Sequence, residues 1–150
     1  MKSILKNRID LGLLILRIGL GAMFIFHGAP KLFGGPERWA KVGSAMGNLG
    51  IHFYPEFWGL MAALSEFGGG IALIIGFPFS AGMALLSFTM IVASTTHFAR
   101  GQGLGGASHA IESAIVFFSL IFIGPGRYTL PNLLKARKKT GTGAKASNIN

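Results

Sequence analysis

The chain has 150 residues, 51% hydrophobic and only 13% charged, with 23 glycines and no cysteine. Soluble domains carry about 25% charged residues, so this composition excludes an ordinary water-soluble globule and reads as a single all-α integral membrane domain; the missing thiols exclude disulfides, thiolate metal sites and thiol redox chemistry by the chain itself. The net charge of +9 sits mainly at the ends, on Lys2, Lys6 and Arg8 and on Lys135, Arg137, Lys138, Lys139 and Lys145, which fits the cytoplasmic flanks of membrane spans and contact with anionic lipid rather than nucleic-acid binding.

Residues 1–9 are a short basic leader. The first span covers about 10–33, DLGLLILRIGLGAMFIFHGAPKLF, longer than the roughly 20 residues a crossing needs. It is too long an apolar run for a cleavable signal peptide and contains Arg17 and Lys31. A charge near the bilayer centre costs about 2.5–3.5 kcal/mol, so such residues turn inward and pair. Arg17, Gly21, Phe24, Gly28 and Lys31 follow one another at steps of four, three, four and three, which puts them on one helix face. His27 stands one turn before Lys31. This polar, glycine-lined, cationic face is expected to meet the other helices.

Between the first two spans, Trp39, Val42, Met46 and Leu49 recur at three, four and three residues, while Arg38, Lys41, Ser44 and Asn48 fall elsewhere on the wheel. Residues 36–49 therefore read as a short amphipathic interfacial helix anchored by Trp39, started by Pro36 and stopped by Gly50. The second span is about 57–76, with Glu66 near its middle and the triplet Gly68, Gly69, Gly70 directly after. Glycines permit close helix packing in membranes. Phe77, Pro78 and Phe79 leave room only for a tight turn.

The third span is about 80–98, with His97 and Arg100 at its far end. The exposed small-residue face of Ala81, Gly82 and Leu85 suits self-association. A flexible turn over 101–106 leads to the fourth span, about 107–124, which carries His109 and Glu112 early. Phe24, Phe26, Phe117, Phe118 and Phe122 read as packing or lipid-facing groups. The transmembrane domain closes near residue 130, and the basic tail 131–150 is expected to be disordered. Four spans put both basic termini on one side, the cytoplasmic one by the positive-inside rule.

At 1.5 Å rise per residue, Arg17 lies roughly 10 Å from the cytoplasmic side and Glu66 about 17 Å, a gap of ~7 Å that an Arg side chain spans. An Arg17–Glu66 ion pair is the expected contact, serving either as a register lock or as a titratable carboxylate in a polar cavity; the remaining alternative is that each charge finds another partner. His27, Lys31, His97, His109 and Glu112 gather in one layer under the outer face. That layer leaves several readings open: imidazoles satisfied by water and headgroups, proton exchange with a quinone, a weak transition-metal site of His27, His97, His109 and Glu112, or haem ligation.

The segments LLILRIGLGAMFIFHGAPKLFG, SEFGGGIALIIGF, MIVASTTHF and IGPGRYTL together resemble the DoxX family of small bacterial membrane proteins over about residues 11–130. The resemblance implies a four-helix membrane bundle in the inner membrane. The family's relatives include a subunit of a thiosulfate:quinone oxidoreductase, and members are commonly labelled oxidoreductases. Its polar motif residues fall here on Arg17, His27, Gly28, Lys31, Glu66, Gly69 and His97, with Glu112 a looser match. Pro131 stands where many relatives have an acidic residue.

The expected function is a quinone-linked oxidoreductase component. Glu66, His97 and His27 would be its catalytic groups, and Arg17, Lys31, Gly28 and Gly69 would shape the binding site. Electrons would come from a bound cofactor or a partner redox subunit. The rivals are a non-enzymatic assembly or anchor subunit, and a small transporter or metal-handling protein.

Overall fold

A computed structural model describes residues 2–146, with side chains over 7–138. The described residues form helices α1 (Lys2–Leu32), α2 (Gly35–Gly43), a 3₁₀ turn (Ser44–Leu49), α3 (Pro55–Ile75), α4 (Phe79–Ala99), α5 (Gly103–Ile123) and α6 (Leu130–Ala146). Four of them, over Asn7–Leu32, Pro55–Ile75, Phe79–Ala99 and Gly103–Ile123, are long and apolar enough to cross a bilayer. The protein is an all-α membrane protein with a four-helix bundle and a short helix between the first two spans.

Two segments differ from the sequence reading. The leader is no separate piece: α1 starts at Lys2 and runs unbroken into the span. The tail expected to be disordered is helical from Leu130 to Ala146, and its residues 147–150 lie outside the described ones. Leu, Lys, Ala and Arg are strong helix formers and outweigh the later Gly and Thr. Pro131 sits in the first turn, where its missing N–H costs nothing. The Thr129 hydroxyl accepts the Asn132 N–H at 3.4 Å, capping that turn.

Neighbouring helices pack mainly through small residues, as expected where lipid competes equally for apolar side chains. A methyl group on Gly28 would lie 2.5 Å from the Phe67 backbone nitrogen, and one on Gly70 would lie 2.8 Å from the Gly21 carbonyl oxygen. These glycines form the α1–α3 seam. Gly69 faces Leu86, and Gly82 packs against Ala72 between α3 and α4. Gly82 is therefore buried and cannot belong to the exposed association face expected with Ala81 and Leu85, both of which remain exposed.

A buried cluster of Phe24, Leu73, Phe79, Met83, Leu86, Met90, Phe117 and Leu120 fills the middle. Phe24 and Phe117 meet edge to face at 4.8 Å and join α1 to α5. Phe26, Phe118 and Phe122 point outward. α2 packs against the first turns of α3, where Gly43 opposes Pro55 and Gly59 opposes Trp39 at backbone contact. The 3₁₀ turn ends at Gly50 in the left-handed conformation (φ 79°), and Asn48 Nδ2 donates to Thr96 Oγ1 on α4 at 3.1 Å. α2 and the turn thus cap the end of the bundle opposite the termini.

Candidate functional site

The buried charges occupy two separate places. Arg17 is completely buried and makes four hydrogen bonds, all to backbone carbonyls. Nε donates to Leu73 at 2.7 Å and Nη2 to Ile74 at 2.7 Å. Nη1 donates to Pro125 at 2.7 Å and to Tyr128 at 2.8 Å. Leu73 and Ile74 lie in the last turn of α3, where carbonyls lack intrahelical partners and carry the negative end of the helix dipole. The guanidinium also lies 5.8 Å from the Phe79 ring centroid. Nearby, Asp10 Oδ1 accepts the Arg127 N–H at 2.9 Å. Arg17 and Asp10 thus fasten the segment after α5 to α1 and α3.

The expected Arg17–Glu66 pair does not form. Glu66, 3% exposed, receives Lys31 Nζ at 2.6 Å on both carboxylate oxygens. Depth counting failed because it set Phe57 level with the end of α1. α3 begins at Pro55 and spends its first turns beside α2. Glu66, eleven residues in, or about 16 Å along the axis, is therefore level with the last turn of α1. The Arg17 guanidinium found acceptors that have no letter in the sequence.

Three features hold Lys31 in place. Gly28, one turn earlier, lets α1 touch α3 beside Glu66. Trp39 Nε1 donates to the Lys31 carbonyl at 3.0 Å and to that of Leu32 at 3.2 Å. The two strong bonds to Glu66 leave one of the three ammonium N–H groups free. The Lys31 side chain is 30% exposed, and it opens onto a cleft of about 910 Å³ whose rim carries Arg38, Lys41 and Arg100. Arg38 and Lys41 read in the sequence as the polar face of an amphipathic helix, and Arg100 only as the far end of the third span. Only the docking of α2 on α3 and of the 3₁₀ turn on the end of α4 brings them together.

The remaining sequence candidates disperse. His27 is exposed on the outer side of α1, its Nδ1 bonded to the Met23 carbonyl of its own helix at 2.7 Å. It does not line the pocket proposed for it, because it lies one residue, or about 100°, from the Gly28 seam. His97 Nδ1 bonds Gln102 Oε1 in the turn after α4, and only its neighbours Thr96, Ala99 and Arg100 line the cleft. Gly69 belongs to the α3–α4 seam, away from Lys31. His109 and Glu112 are exposed on α5. Among the described residues, no three His, Cys, Asp or Glu side chains come close enough to hold a metal ion, so the layer imagined from His27, His97, His109 and Glu112 does not assemble.

Fold and site define a small multi-pass membrane protein with one enclosed cation and one half-open ion pair. The DoxX family model matches residues 12–99, and the chain belongs to that family. It is similar to the inner membrane protein YqjF of Escherichia coli K12, with 29% identity over 136 residues, covering 89% of this chain and 99% of YqjF. No solved structure matches the chain.

Proposed function

We propose that the chain is a bacterial inner-membrane protein that serves as the quinone-handling component of an oxidoreductase. Its basic termini would lie in the cytoplasm and the Lys31 cleft outside. The likeness to YqjF, an inner membrane protein by name, supports the location.

The observation carrying this reading is the Lys31–Glu66 pair, buried at Glu66 and open at Lys31. The donor set fits a carbonyl-bearing ligand: the free Lys31 N–H would hold a carbonyl oxygen, and the Glu66 carboxylate behind it would take up a proton and give it back. A quinone supplies the two-electron, two-proton couple. The electrons would reach it from a partner redox subunit. His97 lies beside the cleft and could pass protons outward; His27 has no part in this arrangement. The test is equilibrium binding of a quinone analogue to the protein in lipid nanodiscs. Glu66→Gln is expected to weaken binding at least tenfold, and wild-type affinity in that variant would overturn the proposal.

A second reading, an assembly or anchor subunit, draws on Arg17, whose bonds all go to the protein's own backbone. It predicts that Arg17→Ala lowers yield while a partner's turnover per assembled molecule stays constant.

A further inference from the structure

The rim of the cleft has a property that the ion pair below it does not explain. Four cationic side chains, Lys31, Arg38, Lys41 and Arg100, line one cavity, against a single acid, Glu37. Lys31 is neutralised by Glu66. Among the described residues, the side chains of Arg38, Lys41 and Arg100 have no hydrogen-bond or ion-pair partner; the salt bridge found is that of Lys31. The neutral polar groups around the same cavity are already engaged. Ser44 Oγ donates to the Lys41 carbonyl, Asn48 Nδ2 to Thr96, and Thr96 Oγ1 to the Val92 carbonyl. What the cavity offers a ligand is therefore cationic N–H donors in surplus. Like charges gathered in a concave wall raise the local concentration of anions, and Arg forks match the geometry of phosphate oxygens.

We infer that this rim binds a phosphate-type oxyanion, presented either as the headgroup of an anionic lipid or as a free phosphate. The volume of about 910 Å³ accommodates either. Arg38 and Arg100 approach from α2 and from the end of α4, so an anion between them would also tie α2 to α4, as Asn48 already ties the 3₁₀ turn to Thr96. This inference stands apart from the quinone reading, which needs only Lys31 and Glu66.

The test has two arms, each comparing the wild-type protein with Arg38→Gln/Lys41→Gln/Arg100→Gln. In the first, inorganic phosphate is titrated by calorimetry into protein in a neutral detergent. In the second, native mass spectrometry counts phosphatidylglycerol against phosphatidylcholine retained from mixed nanodiscs. All three positions are exposed, so the variant is expected to fold; circular dichroism checks this, and the single variant Arg38→Gln serves if it does not. Binding in either arm that falls at least tenfold in the variant supports the site, the first arm pointing to a free anion and the second to a headgroup. A third variant, Lys135→Gln at the opposite end, controls for general charge. No binding in either arm overturns the inference, as does loss that follows Lys135→Gln rather than the rim. Neither arm contains a quinone, so its failure is separate from failure of the redox reading.

Discussion

Arg17 and Lys31 share one face of one helix and differ in almost everything else. Arg17 is sealed at the terminal end of the bundle, and each of its bonds is to main chain. Lys31 sits at the other end, bonded to a side chain, and a third of its own side chain stays accessible. A guanidinium with its donors filled by fixed carbonyls is a fastener. An ammonium with one free N–H above a buried carboxylate can answer a ligand. Two cations of the same formal charge thus part company by what they touch and how much water reaches them.

Substitutions can break this contrast. The largest effect is expected at Arg17. Arg17→Met removes four bonds to carbonyls and is expected to destabilise by on the order of 3 kcal/mol, read as a large drop in detergent melting temperature and yield. Arg17→Lys should rescue little, because three ammonium donors cannot reproduce the guanidinium fork. Next is Gly28→Val. Its side chain would enter the Phe67 backbone, and separating α1 from α3 should cost roughly 1–3 kcal/mol and weaken quinone-analogue binding by moving Lys31 away from Glu66.

Glu66→Gln comes third and sharpens the contrast. Lys31 is partly accessible and keeps some hydration, so the stability loss is expected to be about 1 kcal/mol, smaller than at Arg17, while ligand binding falls much further. The double variant Lys31→Met/Glu66→Gln should recover the stability without recovering binding, and thermal melts alongside binding isotherms check both. Asp10→Asn should be mildest. The amide oxygen can still accept the Arg127 N–H, so the expected loss is below about 1 kcal/mol in the same melts.

Much of the scaffold was legible in the sequence. Apolar runs of 20 residues or so announced the spans. The step pattern from Arg17 to Lys31 correctly gathered the inward face of α1: Arg17, Gly21, Phe24 and Gly28 are all buried. Glu66 also emerged as a buried acid. Its partner did not, since pairing by depth assumes that helices begin level, and α3 begins beside α2. Arg17 was misread for a different reason. Carbonyl acceptors at a helix end depend on where the helix stops and which loop returns to it. The histidines were grouped by height alone, whereas rotation about each helix axis carried His27 away from the bundle. The Arg38, Lys41 and Arg100 rim was invisible because it joins segments about 60 residues apart through a docking that no local pattern encodes.

The bonds from Arg17 to Pro125 and Tyr128 span 108 and 111 positions of chain. During synthesis the opening helix therefore enters the membrane long before those acceptors exist. The nascent protein must carry an incompletely liganded cation until its last crossing has been made. A ribosome that stops short of residue 125 releases a product with half of that coordination missing, which a membrane protease could distinguish from a finished molecule. The coordination of one side chain in the first span thus depends on synthesis having passed residue 128.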